Sequence, residues 1–369
     1  MQSTALILRE PGRAPVLETV TVADPGPGEV LVRLAASGVC GSEGHAVHGR
    51  SAVARYPSVL GHEGAGVVVE VGAGVTTLAP GDHVVLALYV PCRACRQCVR
   101  GDFHHCVGES RRLNTMGVRS DGMTRFRSGE DQLFPLMGLG TLSEYTNVRA
   151  EQAVRVPADI ALHALCLVGC GVTTGFGAVV NTAGVSVGDT ALVVGCGGVG
   201  LNAVQGARLA GATTIIAADT QASKLTLAQQ MGATHVIDVT STSLEEGVRA
   251  VIPDGVDYAF EVVGNGDLVA QCLGLTRVGG MCVMVGAPPP GAIIPARREA
   301  LMMERRLVGC RGGSNIPQRD IPRLAELYSS GRLLLDPLIG KRLPLSGFAE
   351  AFEALDHAEV ARSVITFDS

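Results

Sequence analysis

The run Gly38-Val-Cys40-Gly-Ser42-Glu43-Gly-His45 places a thiol, a hydroxyl, a carboxylate and an imidazole close together in the chain. Cys40 is a soft metal ligand, and its expected partners, His62 and Cys170, lie far from it in sequence. Two thiolates and an imidazole that only the fold can assemble predict a catalytic zinc centre, with three protein ligands and an open fourth position.

A second set of cysteines is local. Cys92, Cys95, Cys98 and Cys106 follow the spacing C-x2-C-x2-C-x7-C. Four sulfurs this close suit a closed tetrahedral zinc site, with bonds of ~2.3 Å, that stabilises a loop and leaves no position for substrate. An iron–sulfur cluster is the alternative for the same four thiolates. The other five cysteines (Cys166, Cys196, Cys272, Cys282 and Cys310) lie in apolar runs and read as reduced core thiols. The odd total and the clustered spacing favour metal binding over disulfides.

A third pattern is Val193-Val-Gly195-Cys-Gly197-Gly198-Val199-Gly200, between an apolar run and a helical one. Glycines at this spacing permit a tight turn and bring a pyrophosphate close to a helix N-terminus. Asp219 closes the next predicted strand, where a carboxylate accepts hydrogen bonds from an adenosine ribose and repels a 2′-phosphate. NAD is therefore expected over NADP. Without a ligand, the same glycines would serve only to pack strand on helix. Lys224 either reaches the same ribose or is a solvated helix charge.

These residues need a frame. The chain has 369 residues, enough for two domains, with 47% apolar and 18% charged residues. A net charge of −5 argues against a nucleic-acid partner, and the absence of Trp argues against stacking platforms. The N-terminus does not read as a secretory signal and no uninterrupted apolar run is long enough to span a bilayer, so a soluble cytoplasmic protein is expected. Residues 1 to about 90 read as short strands separated by Gly and Pro turns, a barrel-like or sandwich-like pattern. Residues 107 to about 150 read as mostly irregular. From 191 onward, strands at 191–194, 214–218, 235–238, 258–263, 281–285 and 306–310 alternate with helices at 199–210, 223–231, 244–252 and 268–276. Alternation of this kind predicts the six parallel strands of a doubly wound Rossmann domain. Later helical segments (321–330, 348–357) and a strand (363–367) return to the first domain. The expected organisation is a catalytic domain of residues 1–171 and 313–369, with a metal lobe at about 88–110, and a dinucleotide domain of 172–312 inserted in it.

Taken together, these motifs resemble the zinc-dependent alcohol dehydrogenases of the medium-chain dehydrogenase/reductase superfamily, over nearly the whole chain. Gly61-His62-Glu63-Gly-Ala-Gly is similar to the zinc-histidine signature, and Gly169-Cys170-Gly-Val-Thr-Thr174-Gly to the segment carrying the third ligand and a nicotinamide contact. Val285-Gly-Ala-Pro-Pro resembles the strand end that meets the nicotinamide, and Arg362 the arginine that binds the pyrophosphate. The resemblance implies a GroES-like β-rich catalytic domain, two zinc ions per chain, NAD, and a homodimer paired through the edge strand at 306–310. It also implies oxidation of an alcohol to an aldehyde, or the reverse. Ser42 would take the alcohol proton and pass it, through the nicotinamide ribose, to His45, which releases it to water. Glu63 would orient the site or approach the metal during ligand exchange, and Glu43 would support a ligand.

The longer lobe between Cys106 and Cys170 resembles the branch with liver-type, formaldehyde and benzyl alcohol dehydrogenases and actinobacterial nicotinoproteins. Gly41 departs from a pattern in which many relatives carry a basic residue against the pyrophosphate. Leu88 and Met137-Gly-Leu139 stand where liver-type members often have aromatics, which suggests a roomier pocket and a bulky or aromatic primary alcohol. The alternatives are a reductase of a C=C or C=N bond, and a formaldehyde dehydrogenase acting on a thiol adduct. The latter needs a basic anchor for its carrier, and Arg111 and Arg112 are the candidates.

Overall fold

The computed structural model of the chain describes residues 1–357 and 360–367. It divides into two compact units, one of residues 1–170 and 316–369, the other of residues 171–315.

The first unit is β-rich. Strands Gln2–Leu8, Val16–Val22, Phe126–Ser128, Asp131–Pro135 and Ser58–Val59 close into a barrel in that order. Barrel closure leaves no open edge. A second sheet runs Ala153–Arg155, His83–Leu86, Glu63–Val71, Glu29–Val39, Arg362–Thr366 and Ile339–Pro344, with Tyr145–Arg149 also paired to Glu29–Val39. The segment expected to be irregular holds a helix, Glu109–Thr115, and the hairpin Phe126–Ser128/Asp131–Pro135 that completes the barrel. The hairpin escapes sequence reading because its tip is polar and its first strand is short; Phe126 and Leu133, each fully buried, and Pro135 carry it into the core.

Register in the second sheet positions the chemistry. Gly38 is paired with Glu63 across antiparallel strands, and Val39 is paired with Ser363 on the other side. Three strands therefore end side by side on Cys40, His62-Glu63 and Arg362. Gly38 is required there: a Cβ would lie 2.3 Å from Glu63 Oε2 and 2.9 Å from Leu167. Cys170 follows the short 3-10 helix Cys166–Gly169, buried against the same strands. The stretch after Cys40 is a helix, Gly41–Val47, that buries Glu43, Gly44 and Ala46.

The second unit is the expected α/β layer structure. Its six parallel strands run in the order His235–Asp238, Thr214–Asp219, Thr190–Val194, Val256–Glu261, Thr276–Met284, Arg306–Gly309. This is the doubly wound order, with its switch point between Thr190–Val194 and Val256–Glu261. Ala191 to Val194 are buried on successive positions, the mark of a strand covered on both faces. Helices Gly198–Ala210, Ala222–Met231, Leu244–Val251 and Gly266–Gly274 connect the strands, each within two residues of its expected bounds. Among the described residues, no single helix is long and apolar enough to cross a membrane.

Candidate metal centres and dinucleotide loop

The strand ends assemble a buried cluster in the first unit. Ligand atoms of Cys40, His62, Glu63 and Cys170 all lie within 4.8 Å of one another. His62 Nδ1 is 2.5 Å from Glu43 Oε1, and Glu43 Oε2 accepts from the Cys40 backbone N at 2.9 Å. Glu43 therefore ties the imidazole of one ligand to the backbone of another. With Nδ1 committed, Nε2 is the remaining ligand atom, and it is buried without a hydrogen-bond partner. A fully buried, unsatisfied imidazole nitrogen is costly unless something fills the site.

The electrostatics point the same way. The neighbouring Cys170 thiol, with help from Arg362 and His62, holds Cys40 well below the usual thiol range despite its burial. Cys170 is pushed up by that same contact with Cys40 and by burial. Burial alone would lower the His62 pKa, but Glu43 and Cys40 raise it above its ordinary value. Burial raises Glu63 to about 7, against the opposing pull of Arg362. Two soft sulfurs and an imidazole whose free nitrogen faces them are a donor set for zinc. The residues present fit the ion.

Arg362 belongs to this cluster. Its Nε and Nη2 donate to Glu63 at 3.2 Å each, and Nη2 lies 3.5 Å from Cys40 Sγ. Sequence reasoning attached Arg362 to a pyrophosphate and gave it no part beside Cys40. The signal that reveals it is the pairing of Val39 with Ser363, which no local pattern encodes. Ser42 is half-buried two residues after Cys40, and His45 is exposed three residues further along the same short helix. Gly41 is exposed, with open space where a side chain would stand.

The four-cysteine lobe is equally well formed. The sulfurs of Cys92, Cys95, Cys98 and Cys106 lie within 4.8 Å of one another, with Cys92–Cys98 and Cys95–Cys106 at 4.0 Å. A tetrahedron of ~2.3 Å zinc–sulfur bonds has edges of about 3.8 Å. Backbone N–H groups of Cys92, Cys95 and Gly108 point at these sulfurs at 3.2 to 3.4 Å, as they do for thiolates. Amide donors pull Cys95 down to about 6, while burial and neighbouring thiols push Cys98 up to about 12. Four sulfurs at tetrahedral spacing, with amide donors aimed at them, also fit zinc. Arg111 is buried and donates to the carbonyls of His104 at 2.6 Å, Cys106 at 3.2 Å and Phe103 at 3.5 Å. It also lies 4.7 Å from the centre of the Tyr89 ring. Arg112 is exposed and bonded to Glu109. Cys98→Ser is expected to leave one zinc per chain by metal analysis and to lower thermal stability, with loss of the ordered lobe under limited proteolysis.

In the second unit, Gly195 adopts φ +97° after the strand Thr190–Val194, a conformation that favours glycine. A Cβ on Gly200 would sit 1.8 Å from the Gly195 carbonyl oxygen, so the turn closes only on glycine. Gly197 caps the helix Gly198–Ala210 and Val199 lies in its first turn, half-exposed. Asp219 ends its strand beside this loop; Oδ2 accepts from Cys196 N at 2.7 Å and Oδ1 from Gln221 N at 3.0 Å. Lys224 stands half-exposed on the helix Ala222–Met231, near enough to Cys196 to act on its thiol electrostatically, as Asp219 does. Thr174 is on the helix Gly171–Gly177, which packs against Gly198–Ala210 through Gly175. Val285 follows the strand Thr276–Met284 and bonds to the Glu261 carbonyl at 2.8 Å.

Comparison with known proteins agrees with this geometry. A family model described as "Alcohol dehydrogenase GroES-like domain" matches residues 26–158, and one described as "Zinc-binding dehydrogenase" matches 198–330. An S-(hydroxymethyl)glutathione dehydrogenase of Paracoccus denitrificans is 36% identical, with 100% of each chain covered. An alcohol dehydrogenase class-3 of Cereibacter sphaeroides is 35% identical over the same full coverage. Among solved structures, the benzyl alcohol dehydrogenase of Acinetobacter calcoaceticus superposes with a TM-score of 0.94 at 29% identity, covering 100% of both chains. This family uses two zinc ions and NAD, and the chain carries two clusters with zinc donor sets and a glycine loop between strand and helix. The chain belongs to the zinc-dependent alcohol dehydrogenases of the medium-chain dehydrogenase/reductase superfamily.

Proposed function

We propose that the enzyme oxidises a hydroxymethyl group with NAD, or runs the reverse reaction, and that its first substrate class is the S-hydroxymethyl adduct of a thiol such as glutathione. The observation that carries the reaction is the Cys40/His62/Cys170 set, with Cys40 and His62 buried, Cys170 half-buried and the His62 nitrogen unsatisfied. Full-length similarity to S-(hydroxymethyl)glutathione dehydrogenases supports the substrate class and favours it over the bulky alcohol expected first from sequence. Zinc held by Cys40, His62 and Cys170 would polarise the substrate oxygen, and NAD would accept the hydride.

The protein's own groups do the rest. Glu43 fixes the tautomer and orientation of His62. Arg362 balances the charge of Glu63 and Cys40. Ser42 takes the substrate hydroxyl proton, and His45, exposed to solvent, releases it. Gly195, Gly197, Gly198 and Gly200 receive the pyrophosphate, Thr174 and Val285 contact the nicotinamide, and Asp219 and Lys224 hold the ribose. The reading extends to a cytoplasmic homodimer paired along Arg306–Gly309, the edge strand of its sheet.

A bulky or aromatic primary alcohol is the second reading, and a specific observation favours it. Arg111 is buried on backbone carbonyls and Arg112 is bonded to Glu109, so neither candidate anchor stands ready for a carrier carboxylate. The deciding experiment is NADH formation from formaldehyde plus glutathione, from formaldehyde alone and from benzyl alcohol. A glutathione-dependent rate with weak benzyl alcohol turnover supports the first reading. Efficient benzyl alcohol turnover with no glutathione effect replaces it with the second, and no turnover of either sinks both.

Cofactor choice is tested at Asp219. Asp219→Asn keeps an oxygen for the Cys196 amide and removes the charge that repels a 2′-phosphate. The NAD/NADP ratio of kcat/KM is expected to fall at least about tenfold. An unchanged ratio would place the discrimination elsewhere.

A further inference from the structure

The second unit buries a carboxylate that takes no part in the proposed chemistry. Glu261 is 0% exposed and ends the strand Val256–Glu261, beside the switch point of the sheet. Its Oε1 accepts from three successive backbone N–H groups, those of Val263 at 3.0 Å, Gly264 at 2.7 Å and Asn265 at 3.1 Å. Its Oε2 is buried without a hydrogen-bond partner. Burial raises the Glu261 pKa, and the three amides oppose that rise. A carboxylate this buried is tolerated because the amides form a nest around one of its oxygens.

The turn held in this way touches the strand ends on both sides of it. Val263 packs on the glycine loop: a Cβ on Gly195 would lie 2.8 Å from Val263 Cγ2. Gly264, at φ +88°, packs on the next strand end: a Cβ on Gly286 would lie 2.1 Å from Gly264 N. The Glu261 carbonyl also accepts from Val285 N at 2.8 Å and Gly286 N at 2.9 Å, and Val262 N donates to the Val194 carbonyl at 2.9 Å. Glu261 and its turn thus link the ends of three neighbouring strands, Thr190–Val194, Val256–Glu261 and Thr276–Met284. A turn whose valine is 58% exposed contributes little to the core, so burial of apolar surface does not account for the carboxylate beneath it.

We propose that Glu261 is a positioning residue for the dinucleotide. By gathering three amides on one oxygen, it fixes the turn 262–265 against Gly195 and Gly286, and with them the walls that receive the pyrophosphate and the nicotinamide. This role rests on the reading of Gly195 to Gly200 and Val285 as the NAD site. Small displacements matter there, since a misplacement of ~1 Å can cost about 10²-fold in rate.

The test measures the NADH dissociation constant of the zinc-loaded enzyme by fluorescence titration, with zinc content and ligand-free melting temperature taken on the same samples. Glu261→Met fills similar space without an acceptor oxygen, and should weaken NADH binding by at least about tenfold at unchanged zinc content. Glu261→Gln keeps the acceptor and places Nε2 where Oε2 has no donor, so it should bind NADH within about threefold of the parent. If Glu261→Met fails to fold, Glu261→Asp decides, because it keeps the charge and shortens the reach by one methylene. A folded Glu261→Met or Glu261→Asp that binds NADH as the parent does, whatever its melting temperature, leaves Glu261 a structural role only and overturns the proposal. A loss with Glu261→Gln as large as with Glu261→Met assigns the effect to charge and also overturns it. A parent enzyme that binds no NADH overturns the NAD reading itself, an outcome distinct from any change confined to the variants.

Discussion

Cys40→Ser is expected to lower kcat/KM by about 10³-fold or more, while the chain keeps its fold and half of its zinc. Cys40 is the thiol that its neighbours drive toward the thiolate, and Arg362 Nη2 lies 3.5 Å from its sulfur. A serine hydroxyl does not ionise in that range, so the donor set would lose an anion and its softest member. Zinc content should fall from two ions per chain to one, because the Cys92/Cys95/Cys98/Cys106 lobe lies elsewhere in the chain and contains no Cys40 contact. Full activity with two zinc ions in the variant would remove Cys40 from the catalytic centre. The contrast with Cys98→Ser is the informative one: there, loss of metal should appear first in stability.

Arg362→Met is expected to destabilise the first unit by about 3 to 5 kcal/mol, because it leaves Glu63 buried without its cation. Glu63 is 0% exposed and cannot be rescued by water. The double variant Glu63→Gln/Arg362→Met should recover much of that loss in denaturant unfolding, since Glu63 is then neutral and only the Cys40 contact of Arg362 stays lost. A single-variant cost below about 1 kcal/mol would mean that the pair contributes little. The same variants separate two roles of Arg362. A role at the pyrophosphate raises the KM for NAD in both single and double variants, whereas charge balance alone leaves it near the parent value in the double variant.

The alternating half of the molecule was legible because its signals are local. Apolar runs such as Ala191–Val194 and helix patterns such as 199–210 repeat at their own periods, and glycine spacing marks the turn between them. The four-cysteine lobe was legible for the same reason, as all of its ligands fall within one short stretch. Strand Phe126–Ser128 was not, because a three-residue strand with one buried side chain carries no period. Helix Gly41–Val47 was hidden by its two glycines; the Glu43 cap on the Cys40 N–H and burial of Glu43, Gly44 and Ala46 support it here. The Glu43 contact to His62 and the Arg362 contact to Glu63 depend on register across strands far apart in sequence, which composition and spacing do not encode.

The alignment of Arg362 beside Cys40 also sets a timetable for biosynthesis. Cys40, His62, Glu63 and Cys170 are all made before the second unit is, and Arg362 leaves the ribosome about two hundred residues after Cys170. At ordinary elongation rates that is a delay of about 10 to 40 s. During it, the strand Glu29–Val39 has an unpaired edge where Arg362–Thr366 will dock, and Glu63 lacks Arg362. The second unit can fold in that interval on its own contiguous sequence. The cluster of Cys40, His62, Glu63 and Cys170 is therefore completed late, and a nascent chain halted before Arg362 holds it in an unfinished sheet.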